Sequence, residues 1–279
     1  MLPDSISMTT SAIFGYFHHT AHPFLLQFSE NWGIRYYGVA YILGFAIGAW
    51  LLARYYKRDR SPYDANQQSD LFVALIIGVV LGGRMGYFLF YTPELILSEP
   101  WKIFYVWEGG MASHGGFLGV AAATAYIARK HKQSFWLTAD LVCSLAPAGL
   151  LFGRIANFLN GELWGKAATV SWAFYFPTAP DGGTIPRHPS QLYEAALEGV
   201  LMLAYSQFRI WKTPLLKSHP GALVGEFLLG YSILRIIGEQ FREPDAALTL
   251  GLSRGATLSI LMGLAGLWMI WRARKAPSK

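Results

Sequence analysis

Cysteine is almost missing from this chain: Cys143 is the one example in 279 residues, so no internal disulfide can form. It lies in an apolar run, where a thiol behaves as a small buried hydrophobe, and it carries no information about compartment. Charge is scarce as well. Only 14% of the residues are Asp, Glu, Lys or Arg, against about 25% in an ordinary soluble domain. A net charge of +6 would suit a nucleic-acid partner if the basic residues shared one solvated face, but they fall between apolar runs, so no nucleic acid is expected. The first 33 residues contain no Lys or Arg, so the expectation is that no cleavable signal peptide of the usual kind is present. No internal repeat is evident, whereas alternating-access transporters often carry one. What the chain has instead is 53% hydrophobic and 15% aromatic residues, the composition of an integral membrane protein.

A helix crossing a bilayer needs about 20 mainly apolar residues, and seven stretches qualify, at about 35–53, 71–91, 110–128, 137–158, 191–210, 221–241 and 255–271. The expected fold is an all-α polytopic membrane protein, one membrane domain over 1–279. Of the 23 Lys and Arg residues, fourteen lie in alternate connections, five on the opposite side, and four within or at the edge of spans. The positive-inside bias then puts the N-terminus outside and the C-terminus in the cytoplasm. Residues 1–33 would form an outer interfacial arm. The Pro- and Gly-rich stretch 166–190 would be an outer loop or small cap.

Several residues do not suit a purely apolar span. Gly153-Arg154-Ile155-Ala156-Asn157-Phe158-Leu159-Asn160-Gly161-Glu162-Leu163-Trp164-Gly165 puts an arginine, amides, a carboxylate and glycines at the outer end of the fourth span. An arginine at the centre of a spanning helix costs roughly 2.5–3.5 kcal/mol on insertion scales, and needs a partner or a wet cavity. On helical spacing Arg154, Asn157 and Gly161 share a face, which reads as half of an anion site. Arg235, Glu239 and Arg242 form a second stripe, at i, i+4 and i+7. It is either an ion-pair stripe or one in which Arg235 faces Arg154 across a cavity while Glu239 orients one of them. Arg84 is either a structural ion pair or a contact to lipid phosphate, and the glycines Gly78, Gly82 and Gly86 around it suit close helix packing. His114 reads as a helix-to-helix hydrogen bonder or as a proton acceptor. Tyr36 and Tyr37 could be interfacial anchors. Glu194 and Glu198 follow Pro189 and favour the positive end of a helix. His18, His19 and His22 are a weak metal tract lacking a completing ligand, and no metal or other cofactor is expected.

The block from Gly153 to Glu162 closely resembles the signature of the bacterial prolipoprotein diacylglyceryl transferase family. The resemblance extends, in the family's order and across nearly the whole chain, to Tyr36-Tyr37-Gly38, Gly82-Gly83-Arg84, His114-Gly115-Gly116, His188-Pro189-Ser190-Gln191-Leu192-Tyr193-Glu194, and Arg235 through Asp245. One departure is Ala156, where the family signature carries glycine. The resemblance implies an enzyme of the bacterial inner membrane. It would move the diacylglyceryl group of phosphatidylglycerol onto the lipobox cysteine thiol of a preprolipoprotein and release glycerol phosphate. By the same resemblance Arg154 and Arg235 hold the headgroup phosphate, and Asn157 and Tyr37 orient glycerol oxygens. Glu162, Gly165, Glu239, Arg242 and Arg84 belong to the substrate site or its support, and His114 is a candidate base. The rival readings are a membrane protein that binds or transports an anionic lipid or solute, and a membrane scaffold. Transport would require a continuous polar path to the cytoplasm, and the inner halves of the spans look apolar.

Overall fold

A computed structural model describes residues 16–20, 23–29, 32–106, 109–244, 251 and 253–275. His22 and Asp245, named above, lie outside the described residues, as does the stretch before Tyr16. The first described elements are a strand β1 (Phe17–His18) and an antiparallel hairpin, β2 (Phe24–Ser29) with β3 (Trp32–Arg35). Helix α1 (Tyr36–Tyr56) follows without a break, then α2 (Ala65–Phe90), the short α3 (Glu94–Ser98) and a 3-10 turn, Pro100–Phe104. Helices α4 (Ser113–Lys130) and α5 (Phe135–Leu159) come next. Strands β4 (Phe174–Tyr175) and β5 (Pro186–Arg187) join β1 in a small sheet of order β1-β4-β5. One helical rod then runs through α6 (Ser190–Glu194), a π-helical segment (Ala195–Leu201) and α7 (Met202–Lys212). After α8 (Leu215–Ser218), the long helices α9 (Ala222–Glu239) and α10 (Arg254–Lys275) complete the bundle.

The protein is thus mainly helical, with two small sheets that the hydropathy pattern did not announce. Long helical segments lie at all seven of the expected apolar stretches. Among the described residues, four helices are long and apolar enough to cross a membrane on length and composition: Tyr36–Tyr56, Ala65–Phe90, Phe135–Leu159 and Gly255–Lys275. Helix α9 is diluted by Glu226, Arg235 and Glu239, and the α6 to α7 rod is interrupted by the π segment. Outward-facing side chains such as Tyr41, Ile42 and Trp50 on α1, or Leu264, Trp268 and Trp271 on α10, are large, apolar and exposed. That surface suits lipid and would be a liability in water.

Local chemistry sets the helix boundaries. Asp64 and Gln67 form a reciprocal capping box at the start of α2, with the Gln67 N–H donating to Asp64 (2.9 Å) and the Asp64 N–H donating to Gln67 (3.1 Å). The start of α9 is capped from another helix: Asp140 of α5 accepts from the N–H groups of Gly221 (2.6 Å) and Val224 (2.9 Å), which places a carboxylate at a positive helix end.

Helix α2 lies along α4, α9 along α10, and α1 along α5. The α2 to α4 seam is made of backbone. A Cβ added to Gly86 would come 2.8 Å from the Cα of Gly115, and one added to Gly82 3.0 Å from the Cα of Gly119, so the glycines serve packing. Near the basic turns the helices close over an apolar core of Leu52, Tyr55, Tyr63, Leu71, Leu141, Ile210 and Leu223. The opposite end is where the polar residues meet.

Candidate active site

Helices α5, α6 with its π-helical extension, and α9 converge at that end around six ionisable groups, five of them buried and Arg154 partly so. Arg154 comes from α5, Glu194 and Glu198 from the α6 rod, and Arg235 and Glu239 from α9, with Arg242 just beyond it. Glu194 and Glu198 are fully inaccessible. Arg154 places Nη1 2.9 Å from Glu194 Oε2 and Nη2 3.0 Å from Glu198 Oε2, and its Nε also donates to Glu198 (3.2 Å). Arg235 Nη1 donates to the other oxygen of Glu194, and its Nη2 lies 2.8 Å from Glu239 Oε2. Arg242 Nη1 is 3.4 Å from Glu194 Oε1. The Glu194 carboxylate therefore sits between the guanidinium groups of Arg154 and Arg235, touched by one on each oxygen.

Glu194 and Glu198 are residues whose role could not be read from sequence. Helix-end electrostatics accounted for them there, and the structure gives them a more specific task, as counter-ions of the arginines. The two readings of Arg235 merge, because it is ion-paired to Glu239 and also faces Arg154 across Glu194. The π segment has a visible packing partner. A Cβ on Gly199 would lie 2.7 Å from the Cα of Leu151, so the turn carrying Glu198 is wedged against the helix carrying Arg154.

A second cluster lies where α1 enters the bundle. The Tyr37 hydroxyl donates to Glu162 and accepts from the Asn157 side-chain amide. Asn160 donates to the same carboxylate at 3.2 Å. The chain reaches Glu162 through Gly161 (φ +68°) and Leu163 (φ +58°), left-handed positions that turn it sharply at the end of α5. That turn is fastened to the start of α6, since Ser190 donates to the Leu163 carbonyl (3.0 Å) and Gln191 to the Glu162 carbonyl (2.7 Å). Both residues lie in the block that follows His188. Ala156, in place of the family's glycine, is 1% exposed, so its methyl is absorbed into the helix packing.

Gly165 lies on the far side of this turn. Its N–H donates to the His188 carbonyl (2.9 Å), it bridges to Arg242, and an added Cβ would lie 2.6 Å from the Phe241 carbonyl oxygen. Glycine is needed there because two backbone segments press on it, and the contact holds Arg242 at the edge of the ion cluster. Above it Arg187 ties the cap together, bonded to Asp181 (2.7 Å), Glu243 (3.2 Å) and the Gly165 carbonyl (3.3 Å), over the Trp164 ring. The Ile185 N–H and the Arg187 guanidinium hold the Asp181 carboxyl down to about 2.

Arg84 stands apart from these clusters. It is 3% exposed and donates to the carbonyls of Ile103 (3.0 Å), Gly110 (3.1 Å), Gly109 and Lys102, so backbone oxygens take the guanidinium instead of the carboxylate or lipid phosphate weighed above. This cage fixes the connection that leads into α4. His114, in the first turn of α4, is exposed, on the side of that helix away from the Gly115 and Gly119 seam. His19 packs against Phe158 and Phe176 and hydrogen-bonds the Phe158 carbonyl (2.6 Å), while His18 stacks on Tyr175.

The arrangement offers two guanidinium groups from different helices aimed at one oxyanion, with hydroxyl, amide and carboxylate groups beside it. Such a site can hold a phosphate and stabilise charge that develops on it. The model of the prolipoprotein diacylglyceryl transferase family matches residues 23–272. The chain is 48% identical over 253 residues to the phosphatidylglycerol–prolipoprotein diacylglyceryl transferase of Idiomarina loihiensis, covering 88% of this chain and 91% of that protein. It is 45% identical over 262 residues to the protein of the same name from Photobacterium profundum (92% and 96% covered), and 45% identical over 253 residues to that of Allorhizobium ampelinum (87% of each).

Proposed function

The chain belongs to the prolipoprotein diacylglyceryl transferase family, and from that premise we infer that it is a membrane enzyme that transfers the diacylglyceryl group of phosphatidylglycerol to the cysteine thiol of prolipoproteins. The observation that carries the assignment of residues is the approach of Arg154 and Arg235 to opposite oxygens of one carboxylate. An oxyanion between those two guanidinium groups is what binding the headgroup phosphate requires.

In this reading the phosphatidylglycerol phosphate lies against Arg154 and Arg235, with Arg242 and Glu239 completing the surround. The thiol sulfur attacks the glyceryl carbon in line. The carbon–sulfur bond forms, the carbon–oxygen bond to phosphate breaks, and its electron pair passes to the phosphate oxygen, where the arginines stabilise it. The thiol proton is lost. An unperturbed thiol pKa near 8.5 leaves a small anionic fraction at neutral pH, and neighbouring arginines raise it. His114, on an exposed face of α4, is the candidate acceptor. Asn157 and Tyr37 orient glycerol oxygens, and Glu162 fixes the Tyr37 hydroxyl that it accepts from. Arg84 and Gly165 act at one remove, by shaping the segments that carry His114 and Arg242.

The further elements of the reading are a seven-span topology with the N-terminus outside, a small outer cap at 166–190, residence in the bacterial inner membrane, and recognition of the lipobox around the substrate cysteine. Support for the topology comes from the seven long helical segments at the apolar stretches and from the bias of Lys and Arg to alternate connections. The reaction tests the whole. Purified protein in detergent is supplied with phosphatidylglycerol and a lipobox peptide, and peptide mass and glycerol phosphate are followed together. A diacylglyceryl mass gain that requires the peptide cysteine, with matching glycerol phosphate release, is expected. Lipid binding without mass gain would reject the reading.

A further inference from the structure

An arginine pair that serves only to grip phosphate has no need of buried carboxylates, yet this one is surrounded by them. Arg154, Arg235 and Arg242 face Glu194, Glu198 and Glu239, so the formal charge of the cluster is zero. The carboxylates are not surface groups that swing aside when a ligand arrives. Glu194 and Glu198 have no accessible surface, and Gly199 locks their helix against Leu151. An arginine has five N–H donors, so Arg154 retains donors for a ligand even while Nε, Nη1 and Nη2 each engage a carboxylate.

Taking the proposed transferase reaction as given, we propose that Glu194 and Glu198 are resident counter-ions that make the clamp favour the phosphodiester substrate over the phosphomonoester product. The diester carries one negative charge. Breaking the carbon–oxygen bond turns it into glycerol phosphate, a monoester that gains a second charge above its second pKa near 6, while the thiol proton passes to solvent by way of the exposed His114, its candidate acceptor. The arginines attract both species, but the fixed carboxylates repel the more highly charged product more, because like charges brought together in a buried site repel strongly. A bare pair of arginines would bind the product tightest and release it slowly. The neutral cluster weakens its hold as the reaction completes. Around Glu198 the charged and titratable groups among the described residues are Arg154 of α5, Arg235 and Tyr231 of α9, and Glu194 on its own rod, with Glu239 beyond Arg235.

The test compares two soluble inhibitors that differ by one methyl and about one charge: glycerol phosphate and its methyl diester. Each competes with phosphatidylglycerol in the detergent assay at pH 8. The wild-type protein should bind the diester at least about tenfold more tightly, and the gap should close below about pH 6, where the monoester loses its second charge. Glu198→Gln should close the gap at pH 8 by tightening monoester binding about tenfold, and should lower both kcat and KM as release slows. Glu198→Asp keeps the charge and should keep the preference. Wild-type protein that binds the monoester as tightly as the diester at pH 8 would overturn the proposal, as would a preference that survives in Glu198→Gln. The wild-type comparison decides even if that variant fails to fold. Inhibition by neither compound would reject the phosphate site itself, an outcome separate from a reversed preference, which rejects only the counter-ions.

Discussion

At the end of the bundle that carries the basic turns, Leu52, Tyr55, Tyr63, Leu71, Leu141 and Leu223 are sealed with almost no accessible surface. At the other end the interior is given to three arginines and three glutamates. The first arrangement is held by burial and packing, which are non-directional and tolerant of moderate change. The second is held by ion pairs whose desolvation offsets much of their attraction, and it fails sharply when one partner is removed. On the proposed assignment of residues, the contrast divides stability at one end from chemistry at the other, so the two should be separable by mutation.

The largest expected effect tests that separation at the polar end. Arg154→Ala and Arg235→Ala should each reduce transfer by about 10²–10³-fold or more while the protein still inserts and purifies. Transfer near the wild-type rate in either variant would remove the phosphate clamp and with it the contrast. His114→Gln should follow, losing on the order of 10²-fold at neutral pH and recovering as pH approaches the thiol pKa. An unchanged pH profile would leave His114 a structural role. Leu52→Ala probes the apolar end. It should cost about 2–5 kcal/mol of stability, read as a lower unfolding temperature in detergent, with kcat per folded molecule unaltered. A fall in kcat without loss of stability would show that the ends are coupled. The smallest effect concerns the cap. Because the folded-state pKa of Asp181 is depressed to about 2, the stability it contributes is present above the unfolded value near 4 and is lost as pH falls through about 2. Unfolding temperature should therefore drop across that window, and Asp181→Asn should flatten the drop.

Hydropathy and charge placement made the helical scaffold legible, and the spacing of Gly78, Gly82 and Gly86 announced a close helix seam that the structure contains. The arginines were legible as well, since a guanidinium inside an apolar run demands explanation. Their partners were not. Glu194 and Glu198 lie some forty positions from Arg154 in the chain, and only the packing of the α6 rod on α5 brings them together. Arg84 was unreadable for a different reason: its acceptors are backbone carbonyls, which every residue possesses. The hairpin at 24–35 has no clean alternation of polar and apolar residues, being apolar and exposed on both faces at Leu25, Leu26, Phe28, Trp32 and Ile34, so its strand character was masked. Nothing in the sequence around Asp140 shows that it reaches across to cap α9, because the N–H groups it accepts from lie some eighty positions away.

The seam between α2 and α4 bears on how the protein is made. Backbone against backbone, it has few side chains to freeze, so closing it carries little of the rotamer entropy that other helix contacts must overcome. These two helices are next to each other among the long helices of the chain and are joined by a connection anchored through Arg84. They can therefore pair during synthesis, before α5 has been made, and present a finished wall against which the residues bearing the ion cluster are later assembled.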